Sequence, residues 1–277
     1  LLSRIKEGEG KRAQMLAVIF SALFAVAIAG LSPERMLERI VTIGSAAAVF
    51  LTAGCMGRSL LGLFIRENEG SSRPCERVAF SFGLGLGLLG LACFLLGSFG
   101  LMANGGAWIL MAACTCVGLT GLKGFWLDLK GLWSDWRGQN SVFSLICAAM
   151  VLSCCLLCLP AAFIPPMDYD VTEYHIHLPR IYAEDGIIAF QPNNAFCGMP
   201  RLMEMFTYLM FSLGGATPAA ASAAQAIHWG FLPLACLAAA ALARRMAGES
   251  CGKEAGLAAA ALLAVNPISL QLSFVLY

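Results

Sequence analysis

The sequence predicts an all-α, polytopic transmembrane protein, and three observations predict it. Of its 277 residues, 59% are hydrophobic and 13% charged, with a mean hydropathy of +0.76, a balance foreign to soluble domains. The apolar residues gather into long runs of bilayer length. The Lys and Arg residues concentrate in the segments that would share one side of a membrane. No basic tract points to nucleic acid, so the partner that composition implies is the lipid bilayer.

A helix needs about 20 apolar residues to cross a bilayer, with a lower limit of about 17. Runs of that kind occur at 14 to 31, 40 to 65, 78 to 101, 107 to 122, 141 to 164, 217 to 243 and 255 to 277. Residues 202 to 213 form a shorter apolar piece that carries Glu204. If that piece lies along the surface, thirteen cations fall on the amino-terminal side: Arg4, Lys6, Lys11, Arg12, Arg66, Arg73, Arg77, Lys123, Lys130, Arg137, Arg244, Arg245 and Lys253. Only Arg35, Arg39, Arg180 and Arg201 fall on the other, while Arg58 is placed to snorkel from the second span. If it crossed, the bias would weaken to ten against seven. The charges therefore predict seven spans, a cytoplasmic amino terminus and an extracytoplasmic loop over residues 165–214. No cleavable signal is visible.

Within the spans, Gly83, Gly85, Gly87 and Gly90 lie inside an apolar helix and predict close backbone approach, not a phosphate loop. Trp126, Trp133 and Trp136, interleaved with Lys130 and Arg137, predict an interfacial anchor between the fourth and fifth spans. Nine of the twelve cysteines sit in apolar runs and read as small hydrophobes; Cys114, Cys116, Cys155 and Cys158 have ligand-like spacings but no accompanying histidine. Gln225, His228, Asn266 and Gln271 are polar at membrane depth, as cavity-lining groups or helix-to-helix hydrogen-bond partners.

Chemistry concentrates in the loop, which holds six of the seventeen acidic residues, two of the three histidines and four of the five tyrosines. Pro165 and Pro166 end the fifth span. Asp170 followed by Glu173 has capping-box spacing in Asp form. On a regular helix Asp170, Glu173, Tyr174 and His177 fall at i, i+3, i+4 and i+7 on one stripe, with His175 about 100° away. Pro179 kinks or restarts the helix, Asp185 and Gly186 turn the chain, and a second short helix follows Pro200, with Leu202, Phe206 and Leu209 on its apolar side. Carboxylates at a membrane surface could accept a proton from a hydroxyl, or hold a divalent cation against a lipid-linked phosphate.

The run Asp170-Val-Thr-Glu173-Tyr174-His175, then Leu-Pro-Arg180, Asp185-Gly186, Gln-Pro-Asn-Asn194 and Met-Pro-Arg201-Leu-Met-Glu204-Met resembles the first outer loop of bacterial membrane glycosyltransferases of the C type. These are relatives of protein O-mannosyltransferases and lipid A aminoarabinose transferases. The resemblance covers residues 141–277, the start of a catalytic module, and leaves residues 1–140 as an additional four-span region. It implies two juxtamembrane helices in the loop, a polyprenyl-phosphate sugar as donor, an acceptor of unspecified class and a site on the outer face of the inner (plasma) membrane. By the same resemblance Asp170 is the catalytic residue and Glu173 its neighbour, either of them a ligand for Mg or Mn if a metal takes part. Tyr174, His175, His177, Arg180, Asn194, Arg201 and Glu204 are the substrate-binding candidates. The superfamily often has a second acidic residue in a later outer loop, and the chain reads as the amino-terminal part of something longer. Two other readings are open: a transporter or lipid flippase using the intramembrane polar groups, and a scaffold in which Asp170 and Glu173 only cap a helix.

Overall fold

The computed structural model describes residues 33–64, 73–137, 141–163, 168–198 and 202–274, and among them every regular element is helical. The expected span at 14 to 31 and Arg201 lie outside the described residues. Contacts divide the chain into a unit over Leu1–Ile40 and another over Val41–Tyr277. All packing described below is within the second.

The long helices are α1 (Pro33–Phe64), α2 (Pro74–Ser98), α3 (Gly106–Arg137), α4 (Val142–Cys158), α7 (Pro218–Met246) and α8 (Gly248–Ala264). Shorter are α5 (His177–Asp185), α6 (Glu204–Gly214) and α9 (Pro267–Phe274). Four of the starts carry Pro at the first helical position, where a missing N–H costs nothing. Thr217 completes one of them by accepting from the Ala220 N–H at 3.2 Å, and Asn266 does the same for Ile268 at 2.9 Å.

Four described helices are long and apolar enough to cross a bilayer, and a fifth counts if the bent pair α8–α9 is one span. The run from 255 to 277 therefore breaks: α8 and α9 meet at 69°, because Pro267 has no N–H to donate and disfavours a helical Asn266 before it. The fifth expected span shortens to the 17 residues of α4, followed by a 3-10 turn at Pro160–Phe163. The fourth lengthens instead. Lys123, Lys130 and Arg137 are good helix formers, so α3 runs on through the tryptophan segment to Arg137.

Close approach of α1 and α2 is made by two glycines. A Cβ on Gly85 would overlap the Ala53 carbonyl, and one on Gly57 would overlap that of Ser81; Gly83 and Gly87 face open space. Gly57→Leu should force the helices apart and lower the unfolding midpoint of the detergent-solubilised protein by several degrees, while Gly83→Leu should leave it unchanged. Equal midpoints for the two variants would refute the close contact.

One apolar core joins Val49 and Ala53 of α1, Leu86 and Leu89 of α2, Leu110 of α3, Leu178 and Tyr182 of α5, most of α6, and Ile227 of α7. A second, smaller one joins Cys155, Leu232, Cys236 and Ala264. None of the cysteines is in a disulfide, and eight of them are buried within the long helices as packing residues. α6 is not the amphipathic surface helix its sequence predicts. Glu204 through Phe211 are all buried, whereas Leu202, expected on the covered side, is 50% exposed. With Met205, Phe206, Leu209, Met210 and Phe211 distributed around its circumference, the helix is apolar all round and fills the core.

Charges collect at one end of this core. Asp128, 3% exposed, accepts from Arg58 Nε at 2.7 Å and Arg77 Nε at 2.6 Å. Glu76 accepts from Arg245 at 3.0 Å, and Asp135 from Arg244 at 2.9 Å. Arg73 donates to the Arg244 carbonyl at 2.8 Å. Arg58 does not snorkel; it joins a network that ties α1, α2, α3 and α7 together.

Candidate functional site

The loop is attached at the other end of α2 from this network. Ile188 N donates to the Gly97 carbonyl at 3.0 Å, while Arg73 and Glu76 sit at the opposite terminus of that helix. Between Asp168 and Gly198 the chain makes one π-helical turn, α5 and a 3-10 turn at Ala195–Gly198.

The π turn, Val171–His175, decides which side chains face where. Its signature bond runs from Ile176 N to Val171 O at 2.9 Å, one residue wider than an α turn. The stripe expected from a regular helix is consequently broken. His175, expected off the stripe, is turned inward and buried; Glu173 and His177 are exposed, and Asp170 and Tyr174 are half-buried. The capping box is not formed either. Asp170 has helical φ and ψ, and its side chain caps nothing. Asp168 takes that role: its Oδ1 accepts from Asp170 N at 3.1 Å, and its carbonyl from Thr172 N and Oγ1, each at 3.0 Å.

Inside the loop His175 meets Glu204. Nδ1 lies 2.8 Å from Oε1, and both residues are buried, Glu204 to 5% exposure. A carboxylate only accepts, so with Glu204 ionised Nδ1 carries the proton and the imidazole is held in one orientation. Tyr174 stacks on Phe196 with ring centres 4.5 Å apart and leans on His175 at 4.2 Å. Asn194 Nδ2 donates to the Glu173 carbonyl at 3.2 Å, and its Oδ1 accepts from Phe196 N at 3.0 Å, fastening the far limb of the loop to the π turn.

The structure thus brings together Tyr174, His175, Asn194 and Glu204, with the Glu173 backbone. Arg180 is engaged elsewhere, in an exposed i,i+4 pair with Glu184 at 2.7 Å, a contact worth a fraction of a kcal/mol, roughly 0.3–0.5. Among the described residues no group of three or more His, Cys, Asp or Glu side chains could hold a metal ion. Asp170 and Glu173 belong to no such group.

Sequence reasoning missed the pairing of His175 with Glu204, although a signal was present. A carboxylate inside a short apolar segment needs a partner once buried. It also missed the partner of His228 on α7, whose Nε2 donates to the Leu272 carbonyl of α9 at 2.7 Å. A pocket beside it is lined by Phe231, Leu263, Ser269 and Leu272.

No family model, curated protein or solved structure matches this chain.

Proposed function

We propose that the chain belongs to a membrane glycosyltransferase of the C type. It transfers a sugar from a polyprenyl-phosphate donor to an acceptor hydroxyl at the outer face of the cell's inner membrane. The observation that carries this reading is the acidic segment that resembles the superfamily's first outer loop, anchored through His175 and Glu204 to a helix of the apolar core. Asp170 is half-buried beside this anchor in sequence and has no capping duty. As a general base it would take the proton of the acceptor hydroxyl while that oxygen attacks the sugar's anomeric carbon and polyprenyl phosphate leaves. Glu173 and His177, both exposed, and Arg180 are within the segment that would meet the donor's phosphate and sugar.

Two measurements test this. The first is consumption of a panel of polyprenyl-phosphate sugars by membranes containing the full-length protein, with release of polyprenyl phosphate as the expected result. The second is topology. In a background with Cys197 and Cys251 replaced by Ser, Asp170→Cys should label with an impermeant maleimide in intact cells, and Lys253→Cys only after permeabilisation. The reverse pattern would overturn the orientation, which the charge bias and the ion-pair network at the end opposite the loop support.

One observation favours a carrier instead. The break between α8 and α9 beside His228 is the kind of interrupted helix that lines substrate sites in transporters. Movement of a fluorescent polyprenyl-phosphate lipid between leaflets of proteoliposomes, without loss of its sugar, would select that reading.

A further inference from the structure

α3 is longer than a bilayer crossing requires. Its 32 residues span about 48 Å, against a hydrocarbon core of about 30 Å. Roughly a third of it must lie at or beyond headgroup level. Composition identifies which third. From Gly106 to Leu122 the outward face is apolar, with Trp108, Ile109, Leu119 and Leu122 exposed, and the first charge on the helix is Lys123.

From there the outward face changes character. At about 100° per residue, Lys123, Trp126, Lys130, Trp133 and Arg137 fall within an arc of about 80°, and all five are exposed. Gly121, Phe125 and Asp128, all buried, lie on the opposite side. The Lys130 ammonium lies 5.5 Å from the centre of the Trp126 ring, and the Arg137 guanidinium 4.8 Å from that of Trp133. Trp136 stacks on Trp133 with ring centres 5.0 Å apart. Each of these two cations is thus held over an indole, where the ring's negative face stabilises it without neutralising it. The two acids of this helix are committed elsewhere: Asp128 is between Arg58 and Arg77, and Asp135 pairs with Arg244. A face meant only to be solvated would gain from interspersed acids. This one has three cations and no carboxylate.

We propose that the carboxy-terminal third of α3 binds the headgroups of anionic phospholipids, with the indoles at the acyl boundary and Lys123, Lys130 and Arg137 against lipid phosphates. The occupant is a lipid because the stripe continues, on the same helix and face, an apolar surface of membrane-crossing length. Its preference for anionic lipid follows from the uncompensated positive charge. The inference requires the membrane reading and is independent of any sugar transfer.

The test uses the full chain in a Trp108→Phe/Trp229→Phe background, leaving only Trp126, Trp133 and Trp136 to emit. The protein is placed in phosphatidylcholine nanodiscs in which a minor fraction is brominated phosphatidylglycerol or, in parallel, brominated phosphatidylcholine. The expected result is quenching by the phosphatidylglycerol that corresponds to at least about fivefold local enrichment, the factor that one basic residue near an anionic surface supplies. Lys123→Gln/Lys130→Gln/Arg137→Gln should bring the two quenchers level, and Lys123→Arg/Lys130→Arg should keep the preference. Equal quenching in the parent overturns the proposal without recourse to any variant. So does a preference that survives the triple substitution or disappears in the charge-conserving one.

Discussion

Asp170→Asn in the full-length protein is expected to lower sugar transfer by about 100-fold or more, the scale of losing a positioned acid or base, while membrane insertion and the unfolding midpoint stay at the parent values. The local structure makes this substitution a clean test. An Asn at a helix cap retains most of the cap's worth, so near-normal transfer would ordinarily be ambiguous between a cap and a bystander. Here Asp168, not Asp170, satisfies the first backbone groups, and the charge on Asp170 has no such structural task. Asp168→Ala is the matching control. It should cost roughly 1 kcal/mol of local order and much less transfer than Asp170→Asn. Glu173→Gln should also do less harm, since the loop contact at that residue is through its carbonyl. Near-parental transfer by Asp170→Asn would end its assignment as the base and make His175, oriented by Glu204, the next group to test.

The largest effect on stability is expected from Asp128→Ala. Asp128 neutralises two arginines whose side chains are themselves 13% and 26% exposed. Removing one partner of a buried ion pair leaves an uncompensated charge and typically costs about 3–5 kcal/mol. Thermal unfolding in detergent should show this loss, and Asp128→Met/Arg58→Met/Arg77→Met should recover most of it, because an apolar replacement of the whole group removes the stranded charges. Asp135→Ala, whose carboxylate is 29% exposed, should cost about 1 kcal/mol or less. If Asp128→Ala were as mild as Asp135→Ala, the pair would have to be counted as solvated and its part in holding α1, α2 and α3 dismissed.

These contrasts show what the sequence carried and where it stopped. α1, α2, α3 and α7 were legible because lipid-length apolar runs have few alternatives. The packing of Gly57 against Ser81, and Gly85 against Ala53, was half-legible: Gly85 was visible as a contact residue, but nothing in the periodicity separated it from Gly83 and Gly87. The break at Pro267 lay in plain view as an Asn-Pro pair, yet the apolar residues on both sides read as one run. α6 was misjudged because Leu202, Phe206 and Leu209 alone were read as its apolar side; Met205, Met210 and Phe211 needed equal weight. The site was the least legible part. A single widened turn at Val171–His175 moved His175 inward and His177 outward, and the residue types themselves did not announce it. Tertiary pairing with Glu204, 29 residues away, makes a buried His175 tolerable there.

The ion-pair network also sets an order of events during synthesis. Arg58 and Arg77 precede Asp128 by 70 and 51 residues, and Glu76 precedes Arg245 by 169. At about 5–20 residues per second, Asp128 is made several seconds after the arginines it neutralises. Arg245 follows Glu76 by roughly ten seconds or more. α1 and α2 can associate early through their glycines, but the ribosome must deliver α3 and then α7 before their charged ends are closed. A nascent chain that stalls before α7 would present Glu76 without its arginine to the insertion and surveillance machinery of the membrane. The assembled protein would keep it covered.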